Sequence, residues 1–116
     1  MLIEQVIVKD KFYMEKRYFK RIDTTLEFHC LDIKYFGTVT NISGNGMFIR
    51  SSKINFPLGV QFEITILFKE EIFDVPVIIK RLTKSNGYYD GMGVEILNLQ
   101  KKYLELLIKL NHGSQS

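Results

Sequence analysis

From Leu26 onward, apolar side chains recur at every second position, the spacing that gives a β-strand one buried and one solvated face. Leu26, Phe28 and Cys30 alternate with Glu27 and His29. Ile33, Tyr35, Gly37 and Val39 then alternate with Lys34, Phe36, Thr38 and Thr40. The clearest run interleaves Val60, Phe62, Ile64, Ile66 and Phe68 with Gln61, Glu63, Thr65, Leu67 and Lys69. Phe73, Val75, Val77 and Ile79 make another, Met92, Val94 and Ile96 the last, and Met47-Phe48-Ile49 a short sixth. Turn formers separate these runs at Leu31-Asp32, Asn41 to Gly46, Pro57-Leu58-Gly59, Lys69-Glu70-Glu71 and Ser85-Asn86-Gly87. Strands at hairpin spacing with no helix between them form an antiparallel sheet, and a small sheet protects its edges best by closing on itself. The expected fold is all-β, a small six-stranded antiparallel β-barrel over residues 24–97. Pro76 lacks an N–H, so its strand is expected at an edge or where the missing donor is tolerated.

The period then changes. Leu99, Tyr103, Leu106, Leu107 and Leu110 recur at helical spacing, predicting one C-terminal α-helix over 98–111, with Asn98 as N-cap and Asn111 or Gly113 as the stop. Leu104 and Ile108 widen its apolar face beyond one stripe, so it is expected to cover the barrel and to meet a partner or a second copy, leaving a monomer or a homodimer open. Residues 112–116 are polar and expected to fray.

At 116 residues the chain suits a single domain, long enough to bury about two thirds of its extended surface without a staple. One cysteine, Cys30, and two histidines, His29 and His112, provide neither an internal disulfide nor a zinc spacing, and a reducing cytoplasm is the expected compartment. The apolar opening Met1 to Val8 is too short for a membrane span and lacks the flanks of a secretory signal, so it reads as folded structure. His29 and Cys30 are adjacent on a strand and point to opposite faces, which argues against a Cys–His catalytic pair. With no Ser/His/Asp set, carboxylate cluster or phosphate-cradling Walker loop, the expectation is a protein that is not an enzyme and uses no cofactor or metal.

Charge is unevenly spread. The chain carries a net charge of +3, yet Lys9 to Arg21 holds six basic residues against two acids, so all the positive excess lies in this stretch. An N-terminal segment and basic arm over residues 1–23 could seek an anion, or simply be a solvated charged turn. Within it Arg17 and Arg21 stand four residues apart, about 6 Å along one helix face or up to roughly 13 Å in an extended chain. A guanidinium fork donates two parallel bonds to a phosphate or to the O6/N7 edge of guanine. The turn Asn41-Ile42-Ser43-Gly44-Asn45-Gly46 offers short polar side chains and glycines that let a ligand approach the main chain. Each feature alone is an ordinary surface element.

Their order and spacing are less ordinary. R-x-x-x-R some twenty residues ahead of [D/N]-x-S-x-x-G, followed by a barrel pattern, resembles the PilZ domain family. Arg17-Tyr18-Phe19-Lys20-Arg21 matches the first motif, Asn41, Ser43 and Gly46 match the second, and Gly91-Met92-Gly93-Val94-Glu95-Ile96 looks like the family's final strand. The resemblance covers roughly 12–97. It implies a receptor for cyclic di-GMP in which Arg17 and Arg21 grip guanine and phosphate while Asn41, Ser43 and Gly46 contact the ligand from the barrel surface. Lys16 stands where some members carry another arginine, and lysine cannot reproduce arginine's planar stacking. Arg81, expected at a strand end, is a further candidate that could stack on a base, and Tyr88 and Tyr89 are candidates to flank the site. On this reading ligand-driven ordering of the arm passes the signal to a protein effector. Two alternatives stand beside it. A small barrel binding single-stranded nucleic acid would explain the aromatics Phe12, Tyr13, Tyr18 and Phe19 in the arm, but the basic charge does not track across the sheet. A PilZ-like adaptor without nucleotide binding would not need both motifs intact.

Overall fold

The computed structural model describes residues 20–30, 35–52 and 54–113. Lys16, Arg17, the N-terminal segment, the Leu31-Asp32 turn, Ile33 and the last three residues of the tail lie outside them. The described strands are β1 (Ile22–Cys30), β2 (Tyr35–Ile42), β3 (Gly46–Arg50), β4 (Gln61–Phe68), β5 (Glu71–Ser85) and β6 (Tyr88–Ile96), followed by helix α1 (Lys101–Gly113). They close into a barrel in the order β1-β2-β3-β6-β5-β4, every pair antiparallel. The six-stranded barrel with one terminal helix is thus as the periodicity predicts. Closure rests on a short seam in which Phe28 pairs with Ile66 and His29 with Thr65.

The alternating positions face inward as expected. Phe28, Val39, Ile42, Ile49, Ile64, Ile66, Phe73 and Met92 are fully or almost fully buried and form one core. His29 is exposed and Cys30 buried, so the two do point apart.

Two turns join their strands through two residues in the left-handed region, Lys69-Glu70 and Asn86-Gly87. Such turns match the twist of the strands they connect. Glu71, expected in the turn, instead opens β5 and pairs with Phe68. Pro76 is not at an edge. Its carbonyl accepts from Leu97 N at 3.0 Å, and because N–H and C=O of a strand residue point the same way, its missing donor faces β6 where that strand has run out.

The helix starts later than the apolar spacing suggested. Its first bond runs from Leu104 N to the Gln100 carbonyl at 3.1 Å, which puts the cap position at Gln100 rather than Asn98. At its other end the helix continues through His112 to Gly113, so those two residues are helical rather than a frayed tail. Tyr103, Leu106, Leu107 and Leu110 pack into the core, and the helix lies against β5 and β1. Lys109 pairs with Glu71, tying the helix to the start of β5 and holding the Glu71 carboxyl below its usual range, chiefly through that hydrogen bond. Among the described residues no helix is long and apolar enough to cross a membrane.

Candidate functional site

The second arginine of the first motif meets the second motif in the fold. Arg21 immediately precedes β1, and the Ile22–Ile42 register brings it beside the end of β2, where Arg21 Nη1 donates to Asn41 Oδ1. Residues twenty apart in sequence thereby share one corner of the barrel.

Besides a register shift in β1 between Asp23 and Leu26, two β-bulges shape that corner. Along β2, Val39 pairs with Ile49 but Asn41 pairs with Phe48, so Thr40 is an extra residue. Val39 and Ile42 point inward while Thr40 and Asn41 are both left on the outside. Along β5, Ile79 pairs with Val94 but Arg81 pairs with Gly93, so Lys80 is the extra residue and Lys80 and Arg81 are both exposed. A bulge breaks strict alternation and re-aims side chains, and here it turns consecutive residues to one face. Arg81 therefore lies inside a fifteen-residue strand, not at a strand end.

Between these bulges runs a groove of about 360 Å³ lined by Arg21, Asn45, Gly46, Met47, Phe48, Lys80, Arg81, Gly93, Val94 and Glu95. Three cationic side chains border it against one carboxylate. Its floor is open because Gly93 lacks a side chain, and the Arg81 chain lies across that space, with Cβ 3.5 Å and Nε 3.6 Å from where a Gly93 Cβ would stand.

The polar turn is built by Ser43. Its N–H donates to the Gly46 carbonyl at 2.8 Å, and its hydroxyl accepts from Asn45 N at 3.2 Å and Gly46 N at 3.3 Å. That hydroxyl also lies 3.3 Å from the Gly46 carbonyl as a donor, and Ser43 is only 3% exposed. A short hydroxyl side chain that bonds its own following amides is the usual device for fixing such a turn. The Asn45 carbonyl accepts from Ile96 N at 2.8 Å, which anchors the turn to β6. Gly46 is required by packing. A Cβ there would stand 2.2 Å from the Val94 carbonyl oxygen.

Of the residues singled out from sequence, Arg21, Gly46 and Arg81 line the groove, Asn41 touches Arg21, and Ser43 lies beneath the turn. Arg17 and Lys16 fall outside the described residues. Tyr88 and Tyr89 are not neighbours of this groove. They sit at the far end of the β5–β6 hairpin, where Tyr88 lines a second groove with Phe36 and Arg50 and Lys84 Nζ lies 4.9 Å from the Tyr89 ring centroid. Lys80 was missed, because a bulge is a property of pairing and leaves no mark in a single strand's alternation. The available signal was the adjacent pair Lys80-Arg81 at the end of a clean apolar alternation.

No curated protein matches the chain at a significant level. Among solved structures it is similar to the Bacillus subtilis inhibitor of motility MotI/DgrA, with 16% identity and a TM-score of 0.68 over 85% of this chain and 50% of that one. The chain thus spans half the length of that protein. It is similar to the PilZ domain of Escherichia coli YcgR, solved with c-di-GMP, at 13% identity and a TM-score of 0.67, covering 85% of this chain and 93% of that one. The PilZ domain of CeSA from a cellulose-synthesizing bacterium aligns at 20% identity and a TM-score of 0.58, over 84% and 99% of the two chains. These likenesses show the fold. The sequence profile of the PilZ domain matches residues 15–112, taking in both motifs, the barrel and most of the helix, and the chain belongs to the PilZ domain family.

Proposed function

We propose that this domain is a non-enzymatic receptor for cyclic di-GMP, bound over the groove between the two bulges. The observation that carries the reading is the contact of Arg21 with Asn41 beside a groove bordered by Arg81 and Lys80. It joins the two motifs at one cationic, glycine-floored surface, and the similar YcgR domain was solved with c-di-GMP.

In this reading Arg17 and Arg21 are the guanidinium forks for guanine and phosphate, with Lys16 beside them. Arg81 lies across the Gly93 floor where a base would stack, and Lys80 adds a point charge for a phosphate. Asn41 orients Arg21, and Ser43 and Gly46 contribute by shaping the turn, which presents Asn45 and its backbone to the ligand. Binding orders the basic arm, and the ordered arm is read by a protein effector in the cytoplasm.

Calorimetric titration with cyclic di-GMP, with GMP and a short single-stranded RNA as controls, tests this directly. Saturable binding of cyclic di-GMP alone is the expected result. RNA binding that weakens steeply with salt would favour a nucleic-acid barrel instead, and silence in all three titrations would leave an adaptor without a nucleotide.

A further inference from the structure

The polar turn is held from three sides, and one of them is the C-terminal helix. Within the turn, the amide and hydroxyl of Ser43 are both engaged with Gly46, and from β6 the Ile96 amide holds the Asn45 carbonyl. From α1, Tyr103 donates its hydroxyl to the Ser43 carbonyl at 2.6 Å, across sixty residues of sequence. Tyr103 is 2% exposed and belongs to the same core as Leu106 and Leu107 on the next turn of the helix. A phenol fixed by packing at its ring and by a bond at its tip cannot follow a drifting turn. The place of the Ser43–Gly44 peptide is therefore set by how the helix docks.

We infer that Tyr103 is a positioning residue for the groove: its hydroxyl fixes the Ser43 carbonyl, and through Ser43 the turn residues Asn45 and Gly46, which line the groove, so that helix docking and the shape of the binding surface form one equilibrium. Coupling of this kind is reciprocal. An anionic ligand that orders the turn must also tighten α1, which makes the helix a reporter of occupancy at the opposite end of the chain from the arginine arm. This second half rests on the nucleotide-binding reading above.

The turn amides are the readout, because Asn45 N and Gly46 N both bond the Ser43 hydroxyl. In ligand-free protein, Tyr103→Phe should speed their hydrogen exchange by about fivefold, the effect of one net hydrogen bond, while Ile64 and Ile66 in β4 are unchanged. Lys109→Ala, which removes a solvent-exposed ion pair and leaves the helix docked by Tyr103, Leu106 and Leu107, should leave Asn45 and Gly46 as they were. An equal rise in β4, no rise at the turn, or the same rise in Lys109→Ala would overturn the inference. With cyclic di-GMP as the probe, Leu106 and Leu107 amides should gain protection in the unaltered protein, and Tyr103→Phe should bind several-fold more weakly. Binding with no change at Leu106 and Leu107 would overturn the coupling. Absence of binding by the unaltered protein would instead overturn the functional reading, and the ligand-free exchange would still decide the positioning role.

Discussion

The residues of the two motifs do different physical work. Arg21 is exposed and charged, and in the proposed reading it serves by what it binds, whereas Ser43 is buried and its hydroxyl is satisfied by its own turn. Arg21→Ala should therefore leave the fold intact and weaken cyclic di-GMP binding by at least roughly twentyfold, since truncating one partner of a desolvated charge contact costs about 2 to 5 kcal/mol. Lys84→Ala, a cation at the tip of the β5–β6 hairpin, should change affinity little by the same titration, and equal losses at both positions would mean general electrostatics. Ser43→Ala leaves the buried Gly46 amide and the part-buried Asn45 amide without their acceptor and should lower stability by about 1 to 3 kcal/mol in a denaturant titration. The glycines divide in the same way. Gly46→Ala drives a methyl into the Val94 carbonyl and should destabilise the barrel by about 1 to 3 kcal/mol. Gly93→Ala meets only the movable Arg81 side chain, so it should keep its melting temperature and lose affinity as the groove floor rises.

Among the elements, the hairpin turns and the helix carry testable strain and charge. Lys69 and Glu70 both adopt positive φ, at 49° and 67°, without being glycine or asparagine. Replacing them with Asn-Gly, the residues such a turn favours, should raise stability by about 1 kcal/mol, read as a higher denaturant midpoint. The helix adds a pH dependence. Burial holds the Tyr103 hydroxyl protonated far above the ordinary tyrosine value of 10.0 in the folded chain, whereas in the unfolded chain it ionises near that value. Its folded pKa is raised, so its contribution is complete below about pH 10 and is lost as pH rises beyond it. The unaltered protein should lose stability on alkaline titration more steeply than Tyr103→Phe, and parallel curves would place the phenol in water. The same helix shows a limit of reading periodicity. Leu99 fits the helical spacing but precedes the first helical bond, because apolar spacing marks which side chains face the core and not where the backbone bonds begin.

At the scale of the whole molecule, ligand binding should be visible as folding stability. Cyclic di-GMP at about one hundred times its dissociation constant should stabilise the domain by about 2.7 kcal/mol, seen as a raised melting temperature. Cyclic di-AMP should not do so, because adenine presents a donor where the arginine fork needs an acceptor. The sequence by itself determined the barrel and its family. Alternation such as Ile64, Ile66 and Phe73, Val75, Val77 specifies which face each strand buries, turn residues such as Asn86-Gly87 specify where strands reverse, and both act over a few neighbouring positions that any reader of the chain can see. Arg17, Arg21, Asn41, Ser43 and Gly46 were legible as motifs for the same reason. Tertiary structure alone decided how Arg21, Asn41, Ser43 and Gly46 are placed. The bulges at Thr40 and Lys80 exist only in the mismatch between paired strands, the necessity of Gly46 only in the approach of β6, and the grip of Tyr103 on Ser43 only once a helix sixty residues away has docked. Each depends on chain segments meeting across long sequence separations, and that register is set by packing of the closed barrel rather than by any local pattern.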